Sequence, residues 1–325
     1  MRIAIALALF AATLAAQVPT FRANVPVVLV PVTVADSKGR FVDGLTSADF
    51  SLLADGREQE FRLDAADAVV APLAIVIAVQ TNDLSATANL KVRKVGSLIQ
   101  PLITGDRGRA AVIGYGDATV VLTDFTKDPG VIWAAFQRTA ASQGGNAARQ
   151  IDAVADAARM LAARPASERK ILIVVGESKD RGSKTKLADA LKLLERDAVT
   201  VFAATWSPYE TAFTTKGTDT PQTTGNTTDL LAGLGEIARL AKQDSAKALV
   251  KSTGGEDLSF ATLKGLEKSL SRMGEELHSQ YLLSFPAQQV EPGFHTLTVR
   301  VLNRHGLTIR ARSGYWFGDV PGPKE

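Results

Sequence analysis

The sequence predicts an α/β fold: a doubly wound, mostly parallel sheet, inserted in or flanked by a small β-sandwich. Three observations carry this. Leu73 to Val79 is a continuous apolar run, the pattern of a strand buried on both faces of a parallel sheet. Further strand-like runs then alternate with segments of helical periodicity, as crossover connections require. Segments that alternate apolar and polar residues bracket this region on both sides.

Taken in order, the chain opens with a positive Arg2, an apolar run from Ile3 to Leu14, and the small residues Ala15 and Ala16. This reads as a secretory signal peptide over 1–16, too short to span a bilayer. Residues 17–68 are β-rich. Val25 to Val34 (VPVVLVPVTV) is a strand, and Pro26 and Pro31, lacking an N–H, place it at an edge or make it irregular. Asp55-Gly56 between Asp49–Leu53 and Glu60–Leu63 supplies the positive φ angles of a tight hairpin.

Residues 70–277 form the α/β region. After the first strand, apolar spacing predicts a helix over Leu90–Leu102, then paired strands Ala110–Tyr115 and Thr119–Thr123 joined through Gly116-Asp117. Helices over Val131–Thr139 and Ala147–Ala163 lead to a strand at Ile171–Val175, and a helix over Leu187–Glu195 leads to a strand at Val199–Ala204. Residues 207–229, rich in Thr, Gly and Pro, read as a long loop on the functional edge of the sheet. A helix over Leu230–Lys242, a short strand over Glu256–Phe260 and a helix over Phe260–Glu276 complete the region.

Residues 278–318 return to β structure at Tyr281–Phe285, Phe294–Val301 and Leu307–Arg312, and 319–325 form a tail. Each flank alone has too few strands for stability, so the two are expected to pair, with sequential domains as the alternative.

Composition narrows the function. Of 325 residues 46% are hydrophobic and 22% charged, the balance of a well-packed protein. Lys and Arg number 37 against 34 acidic residues, a net charge of +3 with no block of like charge, which argues against nucleic acid. Cysteine is absent, which excludes disulfides, thiolate metal sites and cysteine nucleophiles.

The segment DSKGRFVDGLTSADFSLLADGREQEF at 36–61, the strand at 73–79, and the tail motifs YLLSF, GFHTLTVRV and RARSGYW together resemble the von Willebrand factor A-related domain proteins, a family of exported bacterial proteins. The likeness covers nearly the whole mature chain. It implies a magnesium or manganese ion held by three loops at the carboxyl edge of the sheet: Asp-x-Ser-x-Ser after the first strand, then a Thr, then an Asp. Such a hard cation wants oxygen ligands.

This sequence departs from that pattern, as a degenerate adhesion site would. Directly after Val79 the positions hold Gln80, Asn82 and Leu84; the Thr position falls near Asn146, and the third-loop Asp at Gly176 or Glu177. A shifted register, Asp83-Leu84-Ser85-Ala86-Thr87, spells Asp-x-Ser-x-Thr, with Glu177 and Asp180 as further carboxylates. Asp83 or Ser85 equally suits a helix N-cap.

Catalytic signatures are sparse. His278, His295 and His305 all fall in the C-terminal β segment, away from the strand ends where a base would serve. Gly144-Gly145 and Gly254-Gly255 match no phosphate-binding fingerprint and read as turns and helix caps. Lys179, Arg181, Lys184 and Lys186 form a basic cluster that either faces an acidic partner or is the solvated start of a helix. Trp206-Ser207-Pro208-Tyr209 at a strand end suits an aromatic anchor, while Trp133 and Trp316 suit packing.

The sequence therefore points to an exported, non-catalytic scaffolding protein of the cell envelope, periplasmic or extracellular, that holds another protein and needs no cofactor. The partner-binding candidates are Gln80, Asn82, Asp83, Ser85, Asn146, Glu177, Trp206 and Tyr209. Two alternatives stand beside it: a metal-dependent adhesion module with Asp83, Ser85, Asn146 and Glu177 around magnesium or manganese, and a hydrolase or other enzyme of unrecognised site, for which the 206–228 loop is a candidate place.

Overall fold

Strand-forming segments at the two ends of the chain find each other across more than two hundred intervening residues. A computed structural model describes residues 27–64, 72–82, 86–99, 108–139, 145–206, 244–287 and 290–318. The first flank supplies β1 (Val27–Ala35), β2 (Phe50–Ala54), β3 (Arg57–Glu58) and β4 (Arg62–Asp64). The second supplies β11 (Tyr281–Pro286), β12 (Gly293–Val301), β13 (Thr308–Ala311) and β14 (Gly314–Phe317).

These eight strands form two antiparallel sheets, ordered β13-β1-β11-β4 and β14-β12-β2-β3, so each sheet mixes both ends of the chain. Alternate residues of β2 and β11 are buried, as expected where one face of a sheet is covered. The covered faces share one core that includes Val30, Val32, Leu52, Leu283, Phe285 and Tyr315. Asp55 (φ 49°) and Gly56 (φ 76°) make the tight hairpin between β2 and β3, as predicted.

β1 corrects one expectation: it is an interior strand, between β11 and β13. Pro31 is compatible because β13 pairs with Val32–Ala35 alone, leaving it where β1 has a single neighbour, while Pro26 lies outside the described residues.

Between the flanks lie β5 (Leu73–Gln80), α1 (Ala86–Val95), β6 (Arg109–Tyr115), β7 (Thr119–Thr126), α2 (Pro129–Arg138) and α3 (Gln150–Ala162). Then follow β8 (Arg169–Glu177), α4 (Leu187–Arg196), β9 (Thr200–Trp206), α5 (Ser245–Thr253), β10 (Asp257–Ser259) and α6 (Leu263–Ser279). The sheet runs β10-β9-β8-β5-β6-β7, parallel throughout except for β7. The α/β fold class is thus as the sequence predicts.

Every residue of β5 is buried. Ile75, Ile77 and Val79 pack with Val92, Phe136 and Leu270 from α1, α2 and α6. Ala74, Val76 and Ala78 pack with Val154, Leu194 and Leu249 from α3, α4 and α5. Two helical layers therefore cover both faces, which is why the strand reads as an unbroken apolar run.

Several local expectations shift. The first helix starts at Ala86 and yields to a 3₁₀ turn at Gly96–Leu98, where a Cβ on Gly96 would stand 2.8 Å from Phe136 Cβ. Helix α6 starts at Leu263 because Thr262 caps it, its hydroxyl accepting from Gly265 N at 3.0 Å. His278 therefore lies on a helix, not in the β segment. Trp133 is 49% exposed on α2, not packed in the core. The predicted loop at 207–229 and the helix at 230–242 lie outside the described residues.

The sandwich and the α/β unit meet through a polar seam. Glu276 of α6, 0% exposed, accepts from Thr33 Oγ1 at 2.8 Å and from Arg310 Nη2 at 2.7 Å. Arg310 also reaches Gly255 O at 2.7 Å and Glu256 at 3.2 Å. Nearby, Arg312 of the sandwich donates to the Glu195 carbonyl of α4, and Ser313 N donates to Ser252 O at 2.9 Å.

Candidate functional site

The strand order reverses between β5 and β8, and the crevice outside the carboxyl ends of these two strands is where open α/β sheets bind ligands. Chain continuity brings four segments there: Gln80-Thr81-Asn82 after β5, Tyr115-Gly116 after β6, Arg149-Gln150 at the start of α3, and Gly176 through Lys186 after β8.

Gln80 is the hub. Its Oε1 accepts from Glu177 N at 2.8 Å, and its Nε2 donates to Asn82 Oδ1 at 2.9 Å and to Glu177 Oε1 at 3.3 Å. Asn82 Nδ2 donates to Ala147 O at 3.0 Å, and the second Glu177 oxygen takes Arg181 as an ion partner. Gln80, Asn82 and Glu177 are all buried. Three of the sequence-predicted residues thus meet, bound to one another.

A second layer holds the loop after β8. Gln150 Nε2 donates to Glu177 O at 2.9 Å and Gln150 Oε1 accepts from Ser245 Oγ at 2.7 Å. Asp180 Oδ1 accepts from Ile151 N at 3.0 Å and Asp152 Oδ1 from Thr185 N at 2.8 Å. Ala148 and Arg181 exchange backbone bonds of 3.0 and 2.8 Å. The loop is laced to the N-terminal turn of α3, whose first N–H groups need such acceptors.

The remaining candidates divide. Asn146 is exposed in the neighbouring loop, one residue before the Ala147 carbonyl that Asn82 engages. Trp206 ends β9 in register with Glu177, yet it is 8% exposed and packs edge-to-face on Phe260 at 5.8 Å. It is a core residue and not a surface anchor, because the helices on that face cover it. Asp83, Ser85 and Tyr209 lie outside the described residues.

Sequence reading missed Gln150, Ser245 and Tyr115. The Tyr115 hydroxyl is buried beside Gln150, and burial pushes its pKa up, so the phenol stays protonated. It lies against Gly176, where a Cβ would collide with the hydroxyl. Gly176 after a run of β-branched residues was the available signal, since a glycine inside a strand marks close approach by another group.

Tyr115→Phe is expected to change stability by no more than about 1 kcal/mol, because one buried hydroxyl contact, with Gln150, is lost. Gly176→Ala alone is expected to cost about 2 kcal/mol, and part of that should return in the Gly176→Ala/Tyr115→Phe double variant, the Cβ still standing 2.9 Å from Gln80 Oε1. Urea midpoints check this; a double variant as weak as Gly176→Ala would show that the hydroxyl is not the obstacle.

The described residues do not fit a divalent cation. Both polar atoms of Gln80 and both oxygens of Glu177 are already engaged, and the Arg181 guanidinium beside them opposes a second positive charge. No three acidic or histidine side chains are grouped as metal ligands among the described residues.

No family model and no curated protein matches the chain. Solved structures do. A von Willebrand factor type A protein from Catenulispora acidiphila aligns over 89% of this chain and 73% of its own, at 12% identity and a TM-score of 0.45. An aerotolerance-related membrane protein from Bacteroides fragilis aligns over 62% of this chain and 98% of its own, at 12% identity and a TM-score of 0.44. The SpRpn10 VWA domain aligns over 62% and 93%, at 14% identity and a TM-score of 0.37. The likeness is to von Willebrand factor A domains. At such identity and TM-scores the likeness assigns no chemistry, and the chemistry of this edge is read from its own side chains.

Those side chains make a rigid polar platform. Among the described residues no histidine stands at this edge: His295, the one in a tight polar pair, bonds Asp55 at 2.7 Å and Glu291 O at 2.8 Å within the sandwich.

Proposed function

We propose that the protein is an exported, non-catalytic binding or scaffolding protein of the cell envelope, which holds another protein through the loops at the carboxyl edge of its A-like sheet. The observation that carries this reading is the closed Gln80–Asn82–Glu177–Arg181 network at the switch point. A catalytic site keeps a base or nucleophile poised for substrate, whereas here the Glu177, Asp180 and Asp152 carboxylates are spent on internal bonds that fix loop shape. A fixed loop loses little conformational entropy when a partner docks. Export rests on the leader-like residues 1–16. No helix among the described residues is long and apolar enough to cross a membrane.

Site-specific photo-crosslinking tests the reading. A photoreactive residue at Asn146 or Lys184, on the carboxyl edge, is expected to capture a discrete partner in cells, while one at Lys170, near the opposite end of β8, captures none. Equal capture from both edges, or turnover of ester, peptide or phosphate substrates by the pure protein, would overturn it. Mass spectrometry of the exported chain should find Gln17 as its N-terminus.

A further inference from the structure

The residues around the closed network differ in where their charges end up. Asp152 and Asp180 turn their oxygens inward to backbone N–H groups, as does Asp244, which accepts from Lys247 N at 2.8 Å. Glu177 is buried under Arg181. Lys179, Lys184 and Lys186 stand exposed on the same loop, in no ion pair among the described residues. Arg149 and Arg181 are half-buried between them, with the Arg149 guanidinium packed beside Gly182. The outward charge of this rim is mainly cationic, with exposed Asp117 as a carboxylate on its β6 side, although the whole chain carries a net charge of only +3.

A second observation points the same way. Among the described residues, two buried side-chain nitrogen atoms without a hydrogen-bond partner are Arg149 Nε and Arg181 Nε. Both belong to segments that converge on this edge, and both are donors. Buried donors left unpaired are uncommon, and what such a cluster lacks is an acceptor. Arg181 is held in place by Glu177, so its guanidinium is a fixed cation that needs no metal to be present.

We infer that this edge binds an acidic peptide segment of the partner protein, its carboxylates meeting Arg149 and Arg181 with Lys179, Lys184 and Lys186 around them, independently of any divalent cation. This rests on the binding function proposed above and specifies the chemistry of the partner. Guanidinium groups pair with carboxylates through two parallel N–H···O bonds, and the lysines add attraction at longer range.

The test is fluorescence anisotropy of a labelled peptide of alternating Glu and Gly, compared with Gln/Gly and Lys/Gly versions, titrated with the purified chain. The acidic peptide is expected to bind and the other two not. Affinity should fall about tenfold in the Lys179→Ala/Lys184→Ala/Lys186→Ala variant, and similarly between about 50 mM and about 300 mM salt. These lysines are exposed, so the variant should keep the circular dichroism of the parent. Chelator should change nothing.

Undiminished binding by the triple variant, a requirement for magnesium, equal binding of the Gln/Gly peptide, or no binding of the acidic peptide would each overturn the inference. Should the acidic peptide fail while Asn146 and Lys184 still crosslink a partner, the charge argument falls and the binding function stands. If the crosslinks fail as well, both fall.

Discussion

Replacing Arg310 by Ala is expected to destabilise the protein by about 3–5 kcal/mol at about pH 8, among the largest losses any single side chain of the seam would give. Arg310 is the cation facing Glu276, whose carboxylate is fully buried between α6 and the sandwich. Removing it strands a charge with Thr33 Oγ1 as its remaining donor among the described residues. Burial pushes the Glu276 carboxyl up to about 7, against the lowering pull of Arg310 and the raising influence of Glu256. A carboxyl raised in the folded state above its unfolded value favours folding most when it is protonated. That contribution is complete below the unfolded value of 4.5 and disappears as pH rises to about 7.

Glu195 behaves alike, pushed up to about 7 by burial despite its bond from Ser252 at 2.9 Å. The parent protein should therefore lose roughly 2–4 kcal/mol between about pH 5 and about pH 8 from these two groups. Glu276→Gln should flatten part of that slope. The Arg310→Ala loss should shrink by about 1–2 kcal/mol at about pH 5, where Glu276 is neutral. Guanidinium midpoints across the range decide it; a loss of equal size at both ends would mean the pair contributes by packing and not by charge.

Gly254→Ala is expected to cost at least about 3 kcal/mol. Gly254 ends α5 in the left-handed region (φ 81°), the usual place for a glycine cap. Its ideal Cβ would stand 2.5 Å from Ala311 C and 2.6 Å from Arg312 N, backbone atoms of the sandwich that cannot step aside. Gly44 provides the control, since it has a similar φ of 76° and nothing within 4 Å of its ideal Cβ. Gly44→Ala should show the backbone cost alone, about 1 kcal/mol. If both variants lose the same amount in urea melts, the close approach of the two units at Gly254 is not what makes glycine necessary there.

Much of the site was readable as position and little as partnership. Parallel strands ending at Gln80 and Glu177 follow from apolar runs that stop at polar residues, whereas the switch point needs the strand order, which the folded sheet supplies. That Gln80 bonds Glu177 across 97 positions in sequence, or that Ser245 secures Gln150 across 95, has no local signal. Trp206 shows how a local reading fails. An aromatic at a strand end suits a surface anchor, but α6 and Phe260 happen to cover it.

The sequence by itself determined the elements and the class of the fold. Hydrophobic period is a local property, and the unbroken run at β5, the alternation in β2 and β11, and the Asp55-Gly56 turn each dictate one backbone form. The tertiary structure alone decided which charges face outward. Glu177, Asp180, Asp152 and Glu276 look alike in the sequence as acidic residues, and each becomes a bonded internal strut because a folded neighbour supplies its donors. Lys179, Lys184 and Lys186 stay exposed, and among the described residues no carboxylate forms a close ion pair with them. Charge pairing depends on distances of a few ångströms between segments far apart in the chain, and those distances exist only once the strands have crossed over.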